Sequence, residues 1–378
     1  MSLYPSRELP IDLSEVEGRK FVCLENCQLC CLCQPELLEE EERYFRRNFP
    51  DWIVTRRQPH KHTALAMKQG GGPCTFLDEK GKCSVYQQRP HYCRAFPFHV
   101  YLGDRAQVEL DLSCRGVWGD QGADAMLFAL ELLEENRSRI SRALTDSREV
   151  YEQFRSNCAD AGIDPDPTPL RKALEPKLGL ASDPLYLGRL LDLSLEDDEM
   201  RLPEGHETVE KGRMEELRQA AMETALDSLS SIDPMSSPVY CDEAARWKIF
   251  MSSDHELDLY EMEKDGTLRR TKTIDPSEIE LMAPEGDGVR LFSDYLGTLN
   301  RRDSMLGHAY FLVDDLGYDD HVSNVYYGSI ATGALDLLWR GSLLATLRGG
   351  GLDYAGVREA IIYYDMDRLD APTIGAFV

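Results

Sequence analysis

Phe21-Val22-Cys23-Leu24-Glu25-Asn26-Cys27-Gln28-Leu29-Cys30-Cys31-Leu32-Cys33 sets five cysteines within eleven residues. Four more follow at Cys74, Cys83, Cys93 and Cys114, so nine of the chain's eleven cysteines fall before residue 115. Disulfides and metal thiolates are the two chemistries that gather cysteine in this way. Disulfide scaffolds are small secreted domains that spread their cysteines to staple a poor core. Here the first twenty residues carry Glu8, Asp12, Glu15 and Glu17, which is unlike a basic-then-apolar signal sequence. Adjacent Cys30 and Cys31 would staple nothing. The stretch therefore reads as a metal-binding module, expected in a reducing cytoplasm, whose irregular fold draws its stability from the metal.

Spacing bears on which metal. Structural zinc takes four thiolates, commonly from paired Cys-x2-Cys knuckles. Cys27–Cys30 and Cys30–Cys33 have that spacing but share a residue, and no second knuckle follows. Iron–sulfur clusters also take four thiolates and tolerate irregular spacing. Setting Cys33 aside leaves eight cysteines, enough for two four-thiolate sites. Neighbouring side chains diverge, which assigns Cys30 and Cys31 to different centres. Iron–sulfur, as two 4Fe–4S clusters, is preferred, with zinc as the alternative.

Further along, Gly70-Gly71-Gly72-Pro73-Cys74-Thr75-Phe76-Leu77-Asp78-Glu79-Lys80-Gly81-Lys82-Cys83 reads as a short hairpin turning at 78–81. Gln88-Arg89-Pro90-His91-Tyr92-Cys93-Arg94-Ala95-Phe96-Pro97-Phe98 and Cys114-Arg115-Gly116 follow. Residues 21–116, about a quarter of the chain, resemble the YkgJ-type cysteine-cluster family, a zinc- or iron-chelating domain. That family's pattern is Phe-x-Cys-x2-Cys-x2-Cys-Cys, a Cys-x-Phe-Leu hairpin, then Arg-Pro-x2-Cys-Arg-x-Phe-Pro and a last cysteine. The resemblance implies Cys23, Cys27, Cys30, Cys31, Cys74, Cys83, Cys93 and Cys114 as metal ligands. It also implies a loose link to iron–sulfur oxidoreductases and to protein lysine methylation. Two features depart from the pattern: three residues separate Cys23 from Cys27, and Gln28 stands where glycine is usual. Cys33 is additional.

Charge is uneven across the chain. The net charge is −25, yet residues 43–105 hold twelve Lys+Arg and four Asp+Glu, a balance of +8 that leaves −33 for the remainder. Such acidity argues against nucleic acid as a partner. The basic segment would offset an anionic thiolate cluster or dock an acidic protein partner. No membrane is expected. The longest apolar run, 330–347, is interrupted by Asp336 and Arg340, which predicts a buried amphipathic helix.

Residues 35–48 read as a helix opening on Pro35 and acidic residues and closing on arginines. His60 and His62, at i and i+2, are solvated loop residues before they are ligands. Beyond Cys114, an apolar stripe through Met126, Leu130, Leu133, Ile140, Leu144, Tyr151 and Phe154 predicts one helix, or two broken near Asp146. Pro165, Pro167 and Pro169 mark a break, and helices follow at 185–195 and 214–229. A boundary falls at 231–238. Strands are expected at 247–251, 257–263 and 268–274, and helices at 289–299, 329–347 and 352–363. The whole is a mostly helical α+β protein: a cysteine-rich module over 1–120, a helical region over 121–235, and a mixed region with a small antiparallel ribbon over 236–378.

Other chemistry is sparse. The chain has no dinucleotide fingerprint, phosphate loop or Gly-x-Ser-x-Gly elbow. Cys23, Cys27 and Cys30 formally match the Cys-x3-Cys-x2-Cys spacing of radical S-adenosylmethionine enzymes. The βα repeats that accompany it there are missing, so the match reads as an insertion into the YkgJ-type start. Isolated Cys158 and Cys241 read as packing residues, as do Trp339, Arg340 and the Tyr326–Tyr327 pair. Two functions remain: a redox or protein-modifying iron–sulfur enzyme, or a non-catalytic metalloprotein serving as a scaffold for partner binding.

Overall fold

A computed structural model describes residues 10–24, 27–57, 61–196, 198–199, 201–205, 212–230, 237–253 and 256–378. Among them are eleven α-helices and several small sheets, a mostly helical α+β fold. The expected boundary at 231–238 and His60 fall largely or wholly outside the described residues.

The N-terminal module is assembled from short pieces. Strands β1 (Ile11–Asp12) and β2 (Lys20–Phe21) precede the cysteine stretch; helix α1 (Glu39–Asn48) and the hairpin β3 (Ile53–Arg56) and β4 (His62–Leu65) follow it. Helix α1 starts later than the sequence predicts. Residues 35–38 are drawn to the β4 edge instead, where the Pro35 carbonyl accepts from Leu65 and Leu37 donates to Thr63. Glu41 then turns back to accept from the Leu38 N–H at 3.1 Å, capping the helix one turn in. Helix α2 (His91–Ala95) leads into the antiparallel pair β5 (Phe98–Leu102) and β6 (Ala106–Leu110). That pair is flanked by β1, parallel to β6, and by the C-terminal strand β12 (Ala376–Phe377).

Strand β7 (Ala123–Asp124) pairs with β2 and opens helix α3 (Ala125–Glu135), whose first turn Asp124 caps. The helix breaks at Asn136, ten residues before the expected point, and resumes as α4 (Arg137–Ala161). The Asn136 amide donates to the Leu132 carbonyl at 2.8 Å, competing locally with helix continuation. Asp146 lies inside α4, and Leu130 is exposed while Ala129 and Leu132 are buried. Helices α5 (Pro167–Leu174), α6 (Pro184–Leu193) and α7 (Arg213–Leu229) complete the middle third.

An antiparallel meander follows, β8 (Val239–Cys241), β9 (Trp247–Ser253), β10 (Glu256–Met262) and β11 (Leu268–Ile274), one strand more than the pattern shows. Helices α8 (Asp287–Arg301), α9 (Asp303–Asp315), α10 (Val322–Arg348) and α11 (Tyr354–Leu369) close the chain; α9 was not foreseen. Helix α10 packs against α6, α7, α9 and α11 and is buried nearly all round, so it is not amphipathic. Two of its three charges are paired in the core: Arg340, fully buried, bonds Asp336 at 2.7 Å and also Asp367, with its guanidinium over Tyr363 and Tyr364. No helix among the described residues is long and apolar enough to cross a membrane.

One large core runs from Val16 to Tyr364 and takes in β5, β6 and most helices. A buried ion network crosses it, where Arg302 meets Glu15 and Asp365, each at 2.7 Å, and the Leu110 carbonyl at 2.9 Å. The cysteine stretch has its own small cores. Leu37, Phe45, Leu65, Met67, Cys74, Phe76 and Val85 form one. Leu29 and Leu77 join Cys241, Trp247, Ile249 and Met262 in the other, fastening the cysteine turn to the meander.

Candidate metal centre

The cysteine turn is shaped by Gln28, whose backbone is left-handed at φ 46°. Glycine adopts this conformation without penalty and other residues do so at about 1–2 kcal/mol. That accounts for the glycine usual at this place in the family pattern. A single 3-10 turn, Leu29–Cys31, follows, closed by Cys31 N–H to the Gln28 carbonyl at 2.9 Å. The Cys31 carbonyl then accepts from the Cys74 N–H at 2.8 Å, joining the two halves of the module. The expected hairpin after Cys74 is reduced to one bridge, Leu77 with Cys83, over a turn in which Gly81 takes φ 73° and Asp78 accepts from the Lys82 N–H at 2.8 Å.

These turns enclose a cavity of about 480 Å³ lined by Cys23, Cys30, Cys31, Cys33, Cys74, Cys83 and Cys93. Six of the eight expected ligands are therefore brought together, with Cys33 as a seventh thiol. Apolar walls come from Leu65, Phe76, Leu77 and Val85, all buried. Leu24 and Tyr86 are exposed at the rim, beside Lys82 and Arg89, whose guanidinium lies 3.8 Å over the Tyr86 ring. Cys30 and Cys31 do not face apart. Both line this cavity, because the tight 3-10 turn carries them to the same side.

Cys27 and Cys114 stand outside the lining. The Cys27 sulfur lies 3.9 Å from that of Cys241, and its carbonyl accepts from the Trp247 indole at 2.9 Å. Cys114 is buried at the end of the turn that follows β6, its N–H donating to the Asp111 carbonyl. Next to it, Arg115 donates to the Cys241 carbonyl at 2.7 Å and pairs with the buried carboxylate of Glu359, which also accepts from Tyr240 at 2.5 Å. Cys241 is a buried packing residue, as expected, and its cluster places it beside the cysteine turn in space. Cys158 is buried in the main core, as expected.

Burial governs the thiols. It pushes Cys74 up to about 11 and Cys93 and Cys114 well above the usual range. Cys27 is drawn the other way, chiefly by its hydrogen bond with Cys241. Buried thiols without a cation hold their protons, and a metal ion would displace them. No three His, Cys, Asp or Glu side chains among the described residues converge closely enough to hold one ion. The seven thiols instead ring a space much wider than one tetrahedral ion with metal–sulfur distances of about 2.3 Å. The donor set is all sulfur, which suits zinc and iron–sulfur chemistry.

Residues 22–115 match the family model CxxCxxCC, described as "Putative zinc- or iron-chelating domain". The matched stretch holds all eight cysteines named from the sequence, and it supports metal binding by this part of the chain. No curated protein and no solved structure matches the chain.

Proposed function

We propose that the cysteine-lined cavity holds iron–sulfur chemistry and that the protein acts in electron transfer or in the modification of another protein. The observation that carries this reading is the ring of seven thiols around about 480 Å³. A closed zinc site needs four thiolates drawn onto one point; a cluster spreads its irons, each with its own thiolate. Cys23, Cys30, Cys31, Cys74, Cys83 and Cys93 on the cavity wall, with Cys27 and Cys114 alongside, would supply the eight thiolates of two 4Fe–4S clusters, four to each. An iron–sulfur cluster supplies one-electron chemistry. The chain's own residues exclude water on one side through Phe76, Leu77 and Val85 and leave the rim at Leu24 and Tyr86 open. Lys82 and Arg89 at that rim suit an acidic protein partner by charge complementarity.

Anaerobic purification tests the proposal directly. Brown protein with iron and sulfide in stoichiometric amounts and broad absorption near roughly 400 nm is expected, bleaching with dithionite and returning on reoxidation. Colourless protein with stoichiometric zinc would leave the scaffold reading in its place.

A further inference from the structure

A second cavity, of about 470 Å³, lies among α9, α10 and α11, and none of the cysteines lines it. Two guanidinium groups stand in its wall. Arg340 is committed to Asp336 and Asp367. Arg368 makes no hydrogen bond or ion pair among the described residues, and its Nε is buried. A cation withdrawn from water without an anion is costly, and an orphaned buried donor in a formed cavity marks the place of a missing partner.

The rest of the wall bears on what that partner carries. Tyr364 stands one turn before Arg368 on the same face of α11. It is 4% exposed, and its hydroxyl makes no hydrogen bond among the described residues. Gly333 of α10 leaves room for that hydroxyl, since a Cβ there would come within 2.5 Å of it. A guanidinium fork beside a phenol is a donor set for a carboxylate. His308 of α9 supplies an acceptor: its Nδ1 donates to the Pro372 carbonyl at 2.7 Å, which leaves the Nε2 lone pair of the neutral ring for a ligand N–H. Asp315, exposed, and Asp320, half-buried, add carboxylates to the same wall. They disfavour phosphate and other polyanions and suit an ammonium. We propose that this cavity binds a free α-amino acid, with its carboxylate on Arg368 and Tyr364 and its ammonium facing His308 and the two aspartates. The site is separate from the thiol-lined cavity, so the proposal stands or falls apart from the metal reading.

Thermal melts of the anaerobically purified full chain, with the common amino acids added singly, find the ligand. Titration calorimetry then compares that amino acid with its decarboxylated amine, its deaminated acid and inorganic phosphate. At least one amino acid is expected to raise the melting midpoint, and to bind about tenfold or more tightly than each of the three comparison compounds. Arg368→Met should weaken its binding about tenfold or more. The ligand-free midpoint of this variant should not fall, because the substitution removes an unpaired charge. A lower midpoint would mark Arg368 as structural and sink the proposal unless Tyr364→Phe, which deletes only the hydroxyl, also weakens binding. No response to any amino acid, equal binding of the amine, the acid or phosphate, or unchanged affinity in Arg368→Met would each overturn it.

Discussion

Replacing Arg115 by methionine should be among the costliest single changes near the centre. Its side chain is 11% exposed and that of Glu359 is 0% exposed. The change removes the bond to the Cys241 carbonyl at 2.7 Å and both bonds to the carboxylate, leaving Glu359 with Tyr240 and, at 3.1 Å, Arg358. Removing one partner of a buried ion pair costs about 3–5 kcal/mol, because the other charge stays buried. Arg358 remains, so the lower end, about 3 kcal/mol, is expected. The double variant Arg115→Met/Glu359→Gln removes the stranded charge and should recover about 2 kcal/mol of that loss, visible as coupling in a double-mutant cycle. The pH dependence has a definite sign. Burial raises the Glu359 carboxyl, but bonds from Arg115 and Tyr240 outweigh it, and the net shift is below its unfolded value of 4.5. The pair's stabilisation is therefore complete at neutral pH and is lost as pH falls below 4.5 through the folded value. Urea unfolding followed by far-UV circular dichroism, at matched metal content, gives these energies. A loss under about 1 kcal/mol for Arg115→Met, or a double variant no more stable than the single, would refute the reasoning.

Two further substitutions probe the frame around the site. Glu109 is fully buried, accepts from the Ser304 N–H at 2.9 Å and the Ser304 hydroxyl at 2.5 Å, and is pushed up to about 7 by burial against a weaker pull from Arg302. An acid raised in this way favours folding below its unfolded value and loses that contribution as pH climbs from 4.5 towards 7, by about 3 kcal/mol in all. Glu109→Gln, which keeps the Ser304 N–H bond on its carbonyl oxygen and turns the hydroxyl contact into a donation from its amide to Ser304 Oγ, should accordingly gain on wild type between pH 5 and 8 in thermal melts, and parallel profiles would count against it. Gly116→Ala places a Cβ 2.1 Å from the Val22 carbonyl oxygen, a backbone atom that cannot swing aside. The strain should cost about 1–3 kcal/mol and displace the irregular stretch after β2 that carries Cys23, raising iodoacetamide labelling of Cys23 in metal-loaded protein; unchanged melting and labelling would show that this stretch gives way freely.

The parts of this molecule legible in the sequence are those where chemistry is local. The helices expected at 185–195 and 214–229 are found at Pro184–Leu193 and Arg213–Leu229, Lys264-Asp265-Gly266 turns β10 into β11, and the long apolar stretch after Val322 is a helix, whereas the break expected at Pro165, Pro167 and Pro169 is cut short because Asp166 caps a helix that Pro167 opens. Cys30 and Cys31 share a cavity because left-handed Gln28 and a 3-10 turn are short-range devices in consecutive residues, whereas Cys74, Cys83 and Cys93 reach it through tertiary contacts such as the Cys74 N–H on the Cys31 carbonyl. Helix breaks were less legible: Asp146 looks like a breaker, but the break sits at Asn136, where a side-chain amide takes the Leu132 carbonyl. Strand β8 is three residues long and has a pattern too short to read, and it is this strand that carries Cys241. Nothing local marks that residue's place beside the cysteine turn, since an isolated cysteine in an apolar strand has the same sequence signature wherever it packs. Its position is set by Arg115, Glu359 and Trp247, which are remote from one another in the chain and meet only in the fold. A buried contact built from several distant elements depends on the whole core being formed, so loss of the Arg115–Glu359 pair should also loosen the Cys27–Cys241 contact beside it.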